Sequence, residues 1–283
     1  MSFISNILST LSYSIDVTKA ILKGERRYPR KQRYGGTLTL LSNAPSLKEV
    51  LPRVLTEEEF KNTDFIVLNY FATCDEFAKI KPQHYCFADP MFFKKTHRHE
   101  EVMNLFRLME KKVDWDMNIY VPSHYYNRFK NYSGFVDNSY LHIIPVWEKQ
   151  FKGFEYFRFW TYKYNFAAPI NQTVAILAIL VGLNSGYQKI NLYGVDMTFF
   201  DNLVINENNQ LCSIYRHFND QAEELKPILD NSTGEVMAIS DYILCIGQMF
   251  KSHDLLSRYA KYLGVEIINC TNCSLIDSYK RKQ

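Results

Sequence analysis

The sequence predicts an α/β fold, a doubly wound and mostly parallel sheet, on three observations. Short runs rich in β-branched and aromatic residues alternate with segments of helical periodicity, the pattern of repeated strand–helix–strand units. The runs are apolar throughout rather than at every second residue, as strands buried on both faces require. The chain of 283 residues, 47% of them hydrophobic, is long enough to wrap such a sheet in two helical layers. A Rossmann-like domain is expected over residues 34–283, after a basic amphipathic segment at 1–33 and with a lid insertion at about 197–240.

Residues 3–22 (FISNILSTLSYSIDVTKAIL) place Ile4, Ile7, Leu8, Leu11 and Ile15 at helical spacing. The stretch is too polar to span a bilayer, and its charges follow the apolar part instead of preceding it, unlike a secretory signal. An apolar stripe ahead of a Lys/Arg cluster resembles a helix lying on an anionic membrane surface. Packing on the domain itself, or on another subunit, would explain the same stripe.

The first strand is Thr37–Leu41, followed by a tight turn and a helix starting at Ser46. Glu49 takes the third helical position, so Ser46 and Glu49 read as a capping box. Pro52 is expected to end or kink that helix. Strands follow at 64–69 (DFIVLN) and 84–88 (HYCFA), then an amphipathic helix at 100–113 and strands at 118–121 and Leu141–Val146. Residues 171–183 (NQTVAILAILVGL) form an apolar helix that must be buried, followed by the strand Lys189–Tyr193. A long helix over 242–263 runs into a last strand at 265–269. Residues 147–168 are aromatic and weakly periodic, while 197–240 are polar with an exposed turn at 201–209. A long irregular insertion after a strand is commonly a lid.

The formal net charge of +3 is unevenly spread. Residues 1–33 hold seven basic side chains (Lys19, Lys23, Arg26, Arg27, Arg30, Lys31, Arg33) against Asp16 and Glu25, which leaves the domain slightly acidic. A phosphate-tracking surface needs a basic stripe on the folded domain, so nucleic acid is not an expected partner. Six scattered cysteines in mostly apolar contexts fit reduced thiols in a cytoplasm, at the inner face of the cell membrane if residues 1–33 dock there. Cys270 and Cys273 form a lone CxxC without the second pair a zinc site wants, and are expected to be buried and structural. Twenty Tyr and twenty Phe fit a biased composition, and equally a site that stacks on rings.

Ligands of doubly wound sheets bind beyond the carboxyl ends of the strands. Four such ends carry polar residues directly after apolar runs: Ser42-Asn43-Ala44-Pro45-Ser46, Asn69, Asp89-Pro90 and Gly194-Val195-Asp196. Four polar ends on one sheet converge on a crevice. The first, a strand, a tight turn and a helix N-terminus, offers backbone N–H groups to a phosphate or a carboxylate. Neither GxGxxG nor a P-loop is present.

SNAPSLKE at 42–49 resembles the GNGPSLKE opening of the bacterial sialyltransferases of glycosyltransferase family 42. NQTVAILAILVGLNSGYQKINLYGVDMTFF at 171–200 resembles that family's helix–strand stretch ending in Gly-Ile/Val-Asp-Phe. LLSRYAKYLGVEIINCTNCSLI at 255–276 is similar to its closing helix–strand segment, CPNSLL. The likeness runs in order over about residues 37–280, with these three blocks clear. It implies a GT-A-like variant of the Rossmann-like fold with a flexible lid. It also implies inverting, metal-independent transfer from CMP-sialic acid, or a related CMP-activated acidic sugar, to an acceptor on lipopolysaccharide, capsule or another surface glycan.

Matched position by position, the resemblance puts Asn43 and Ser46 against the donor nucleotide and its phosphate, with Asn69 also facing the donor. Asn171, Gln172 and Thr173 match the phosphate- and sugar-binding turn, and Asp196 closes the Gly-Val-Asp strand end. Tyr215, Arg216 and His217 lie where the family keeps its catalytic histidine. The chain departs from the pattern as well. Ser42 and Ala44 replace two glycines, Gln172 and Thr173 replace Ser-Gly, and Thr198 replaces a tyrosine. Asp89 replaces an asparagine and is expected to bind ribose hydroxyls, since an anion there would repel an acidic sugar.

Breaking the bond to CMP needs relief of charge on the departing phosphate and a base for the acceptor hydroxyl. A helix N-terminus with Thr173, Tyr215 and Arg216 suits the first, and His217, titrating near neutrality, the second. A solvated loop histidine is the plainer account of His217. Asp114-Trp115-Asp116 matches a DxD metal motif only superficially, because it ends a helix instead of following a strand. His97-Arg98-His99 reads as a solvated helix start. The aromatic stretch 147–168 fits an acceptor groove or core packing equally well. Two other functions stay open: a metal-dependent phosphate-transfer enzyme of the pterin diphosphokinase-like type, and a non-catalytic nucleotide-binding protein.

Overall fold

A computed structural model describes residues 3–22, 34–135, 137–201, 203–214, 225–230 and 233–282. Its strands are β1 Thr37–Leu41, β2 Thr63–Leu68, β3 His84–Cys86, β4 Met117–Pro122, β5 Leu141–Val146, β6 Lys189–Tyr193, β7 Val204–Ile205, β8 Leu211–Ile214, β9 Leu225–Pro227, β10 Glu266–Asn269 and β11 Lys280–Arg281. Its helices are α1 Phe3–Leu22, α2 Leu47–Val54, α3 Phe77–Ile80, α4 His99–Lys112, α5 Tyr126–Ser133, α6 Glu155–Lys163, α7 Val174–Ser185 and α8 Ile239–Leu263. Eight strands pair in the order β11-β10-β6-β1-β2-β3-β4-β5, every pair parallel. The α/β, Rossmann-like fold is therefore observed, and the sheet is parallel throughout rather than mostly so. Strands β7, β8 and β9 form a separate antiparallel sheet inside the expected lid range.

The chain lays down β1 to β5 in one direction, then returns to add β6, β10 and β11 on the other side of β1. That reversal between β1 and β6 is the switch point where a parallel sheet opens a crevice. Each sheet face carries its own core, one with Leu38, Leu40 and Ile66 against α7 and α8, the other with Leu41, Val67 and Tyr85 against α2 and α4. Helix α7 is buried at every position from Ala175 to Leu183, which is why it reads as apolar on all sides. Gly182 lets it sit this close, since a Cβ there would fall 2.6 Å from Leu38 Cδ2.

At the amino ends of the strands, polar groups close on one another. Tyr187 donates to Asp64 Oδ2 (2.6 Å), and its oxygen lies 2.8 Å from His84 Nε2. The Tyr120 hydroxyl meets His84 Nδ1 at 3.3 Å, and the Tyr34 ring stacks on Tyr187 at 5.1 Å. Burial alone holds the His84 imidazole down to about 4. At the free edge of β5, the Asn165 side chain mimics a strand, donating to Pro145 O (3.4 Å) and accepting from Trp147 N (3.3 Å).

One expectation is corrected here. The capping box does not form: Ser46 is itself helical (φ −60, ψ −17) and its side chain makes no cap bond. Helix α2 ends two residues past Pro52, close to where the proline was expected to end it. Helix α1 packs on the domain through Tyr13 and Val17, with Tyr13 donating to Phe166 O (2.6 Å) and Asp16 pairing with Lys149 (2.7 Å). Its apolar stripe is turned outward, leaving Ile4, Leu8 and Leu11 69%, 63% and 58% exposed. No helix among the described residues is long and apolar enough to cross a membrane.

Candidate functional site

A cleft of about 400 Å³ opens beyond the carboxyl ends of β1, β2 and β6. It is bounded by Asn43, Asn69, Thr173 and Asp196 and by Phe199, Ser213 and Ile214 from the lid range. Sequence reasoning thus brings together four of its eight donor-site candidates, and the remaining four lie off the cleft wall.

The β1 end is stitched to the β6 end. Ser42 N donates to Tyr193 O (2.9 Å) and Ala44 N to Gly194 O (3.2 Å). Gly194 has φ +67, and a Cβ there would meet Leu47 Cβ at 3.0 Å and Ser42 O at 3.2 Å, so glycine is required. Across this platform the Asn43 amide donates to Leu68 O (3.1 Å), fixing its orientation. Asn43 is only 9% exposed and lines the cleft, and its Oδ1 is buried without a partner.

The β2 end ends in a strained residue. Asn69 has φ +47, a left-handed conformation that asparagine tolerates better than most residues. The Tyr85 hydroxyl locks it, accepting from Ala72 N (3.0 Å) and donating to Asn69 O. Burial keeps that phenol protonated, well above its ordinary range. Asn69 Oδ1 is buried and unpartnered too.

The third wall corrects the expected phosphate site. Asp196 accepts from Ser46 N (3.2 Å) and from Ser46 Oγ. The protein's own carboxylate therefore occupies the α2 N-terminus, and Ser46 serves Asp196 rather than a ligand. The open N-terminus is that of α7, whose first residues Val174 and Ala175 line the cleft behind Thr173. Thr173 is extended (φ −139, ψ 148), and its Oγ1 is buried with no partner. A 12-residue helix ending this way presents N–H groups and the positive end of its dipole to an anion.

Of the other candidates, Asp89 and Asn171 have structural tasks. Asp89 Oδ1 accepts from Met91 N (3.0 Å) and caps the turn Pro90–Phe92, and the residue does not line the cleft where the ribose contact was expected. Gln172 is exposed and does not line the cleft. Asn171 donates to Glu148 Oε1 (2.8 Å), and its Oδ1 is unpartnered. Tyr215, Arg216 and His217 lie outside the described residues; in sequence they follow Ile214 directly. Cys273 is exposed on the cleft wall and Cys270 half-buried, which corrects the expectation of two buried thiols. Asp114 pairs with Lys81 (2.8 Å) and Asp116 with His142 (2.9 Å), both just before β4 and far from any carboxyl strand end. Arg98 stacks over Tyr70 (4.7 Å) and His99 Nδ1 meets Tyr132 OH (2.7 Å), so this helix start is pinned rather than solvated. Among the described residues no group of three or more His, Cys, Asp or Glu could hold a metal ion.

Sequence reasoning missed Glu148 and Tyr85. Glu148 follows β5, and burial raises its carboxyl above the ordinary range while His124 Nδ1 lies 3.5 Å from Oε2. A carboxylate directly after an apolar strand is the signal that singled out Asp89, and it marks Glu148 equally. Tyr85 sits inside a continuous apolar run and carries no such mark. Compared with known proteins, the chain matches no family model and no curated protein.

Proposed function

We propose that this protein is a glycosyltransferase of the sialyltransferase-like kind, moving a CMP-activated acidic sugar to a surface-glycan acceptor. The reading is carried by one observation: three residues lining one cleft at the switch point, Asn43, Asn69 and Thr173, each hold a buried polar atom without a partner (Oδ1, Oδ1 and Oγ1). Buried polar atoms are normally satisfied, so a cluster of orphans in a cleft marks a ligand that completes them. The two amide oxygens accept, which suits ribose hydroxyls or the exocyclic amine of cytosine. Thr173 and the α7 N-terminus donate, which suits a phosphate.

One helix N-terminus fits one phosphate better than two. Among the described residues lining the cleft the charged ones are Asp196 and Asp201, with no lysine or arginine to neutralise a diphosphate. The Thr173 hydroxyl and the α7 N-terminus match the single phosphate of a CMP-linked donor. In the reaction the bond from the anomeric carbon to the phosphate oxygen breaks, and CMP leaves with the electron pair. The acceptor oxygen forms the new bond, and its proton passes to His217. Charge on the departing phosphate is met by the Thr173 hydroxyl and the α7 amides, and Arg216 is assigned to it on the sequence resemblance alone.

A thermal-shift panel of CMP, UDP, GDP and ATP, each with and without magnesium, tests this. Stabilisation by CMP without metal is the expected result. Selective stabilisation by UDP sinks the reading, and stabilisation by Mg-ATP favours phosphate transfer instead.

A further inference from the structure

Helix α1 faces two ways. Tyr13 and Val17 look inward, while Ile4, Leu8, Leu11 and Leu22 lie on the opposite side, the last 81% exposed. A soluble amphipathic helix buries its apolar stripe; this one buries a tyrosine and a valine and presents the stripe outward. Alongside it, α6 exposes Tyr156, Phe157 and Trp160. Between the two helices runs a groove of about 540 Å³, walled by Tyr13, Val17, Phe151, Phe157, Trp160 and Phe166. Trp160 stacks on Phe166 at 5.7 Å, so the groove floor is built of rings.

Charge decides among occupants. Lys19 closes the last turn of α1, and residues 19–33 hold seven Lys or Arg against the single acidic residue Glu25. A second copy of the chain carries the same excess of cations in its sequence and offers them no complement. An anionic lipid surface complements both features, taking the apolar stripe into its acyl boundary and the cations at its headgroups. Tyrosine and tryptophan beside the stripe match the ring chemistry of a membrane interface.

We propose that the α1–α6 face docks on an anionic lipid leaflet and that the groove between the helices receives one hydrocarbon chain. This stands apart from the donor reading: CMP binding can fail while docking holds, and the reverse.

The test is flotation of the full chain with vesicles of phosphatidylcholine alone or mixed with phosphatidylglycerol. About tenfold or greater preference for the anionic vesicles is expected, weakening with added salt. Bromine-labelled acyl chains should quench Trp160 fluorescence, read as the signal lost in Trp160→Phe. The double variant Leu8→Asp/Leu11→Asp, changed only at exposed positions, should lose flotation and keep its melting temperature. Equal binding to neutral vesicles, undiminished binding by the double variant, or absent quenching would overturn the proposal. So would a dimer in sedimentation equilibrium that the double variant dissolves.

Discussion

The two ends of the parallel sheet treat polar groups in opposite ways. At the amino ends, Asp64, Tyr187, His84 and Tyr120 hand hydrogen bonds to one another until each is satisfied. At the carboxyl ends, Asn43, Asn69 and Thr173 each keep a buried atom without a partner. An unsatisfied buried group destabilises by about 1–3 kcal/mol, so the second end concedes stability that the first supplies. The difference separates scaffold from site within one sheet. Glu110 Oε2 and His253 Nε2 are also unpartnered, and nothing in their surroundings explains them.

The largest effect that would break this contrast is acid. Burial holds both His84 and His253 down to about 4. In the unfolded chain each charges from about pH 6.5 downward. Folding stability is therefore complete above that value and drains as the pH falls toward 4, by up to about 3 kcal/mol per histidine. Melts between pH 4 and 8 should show the slope, and His84→Gln should make it shallower. A flat profile would refute the account.

Removing one hydroxyl from the satisfied end comes next. Tyr187→Phe strands Asp64 and His84 and should lower stability by about 2 kcal/mol in urea titration while CMP binding stays unchanged. A parallel loss of binding would mean that the two ends are not independent. Asn43→Ala should do the reverse. Stability falls by less than about 1 kcal/mol, whereas calorimetric affinity for CMP drops about tenfold. The smallest effect sharpens the contrast most. Asn69→Gly relieves the left-handed backbone and should leave stability unchanged or raise it by up to about 1 kcal/mol, yet weaken CMP binding by removing an acceptor. Tighter binding in that variant would count against Asn69 as a ligand contact.

Much of the scaffold was legible in the sequence. Strands β1, β5 and β6 fall where their apolar runs end, and α7 is buried as its all-round apolarity demands. Local pattern carries these because both faces of a parallel strand are covered. The site was legible in half. Asn43 and Asn69 are found by their place after a strand, but Ser46 looked like a helix cap and phosphate ligand until Asp196, 150 residues on, was seen to hold it. Pairing across such a distance leaves no local trace. Asp89 and Glu148 show the same limit, since identical polar strand ends serve a turn in one case and Asn171 in the other.

The Asn165 side chain on the edge of β5 has a consequence for handling the protein. By occupying the carbonyl of Pro145 and the amide of Trp147, it blocks the carboxyl-terminal end of that edge to another strand. At the far edge β11 is two residues long and offers little more. Growth of another strand along β5 should therefore stop short of its carboxyl-terminal end.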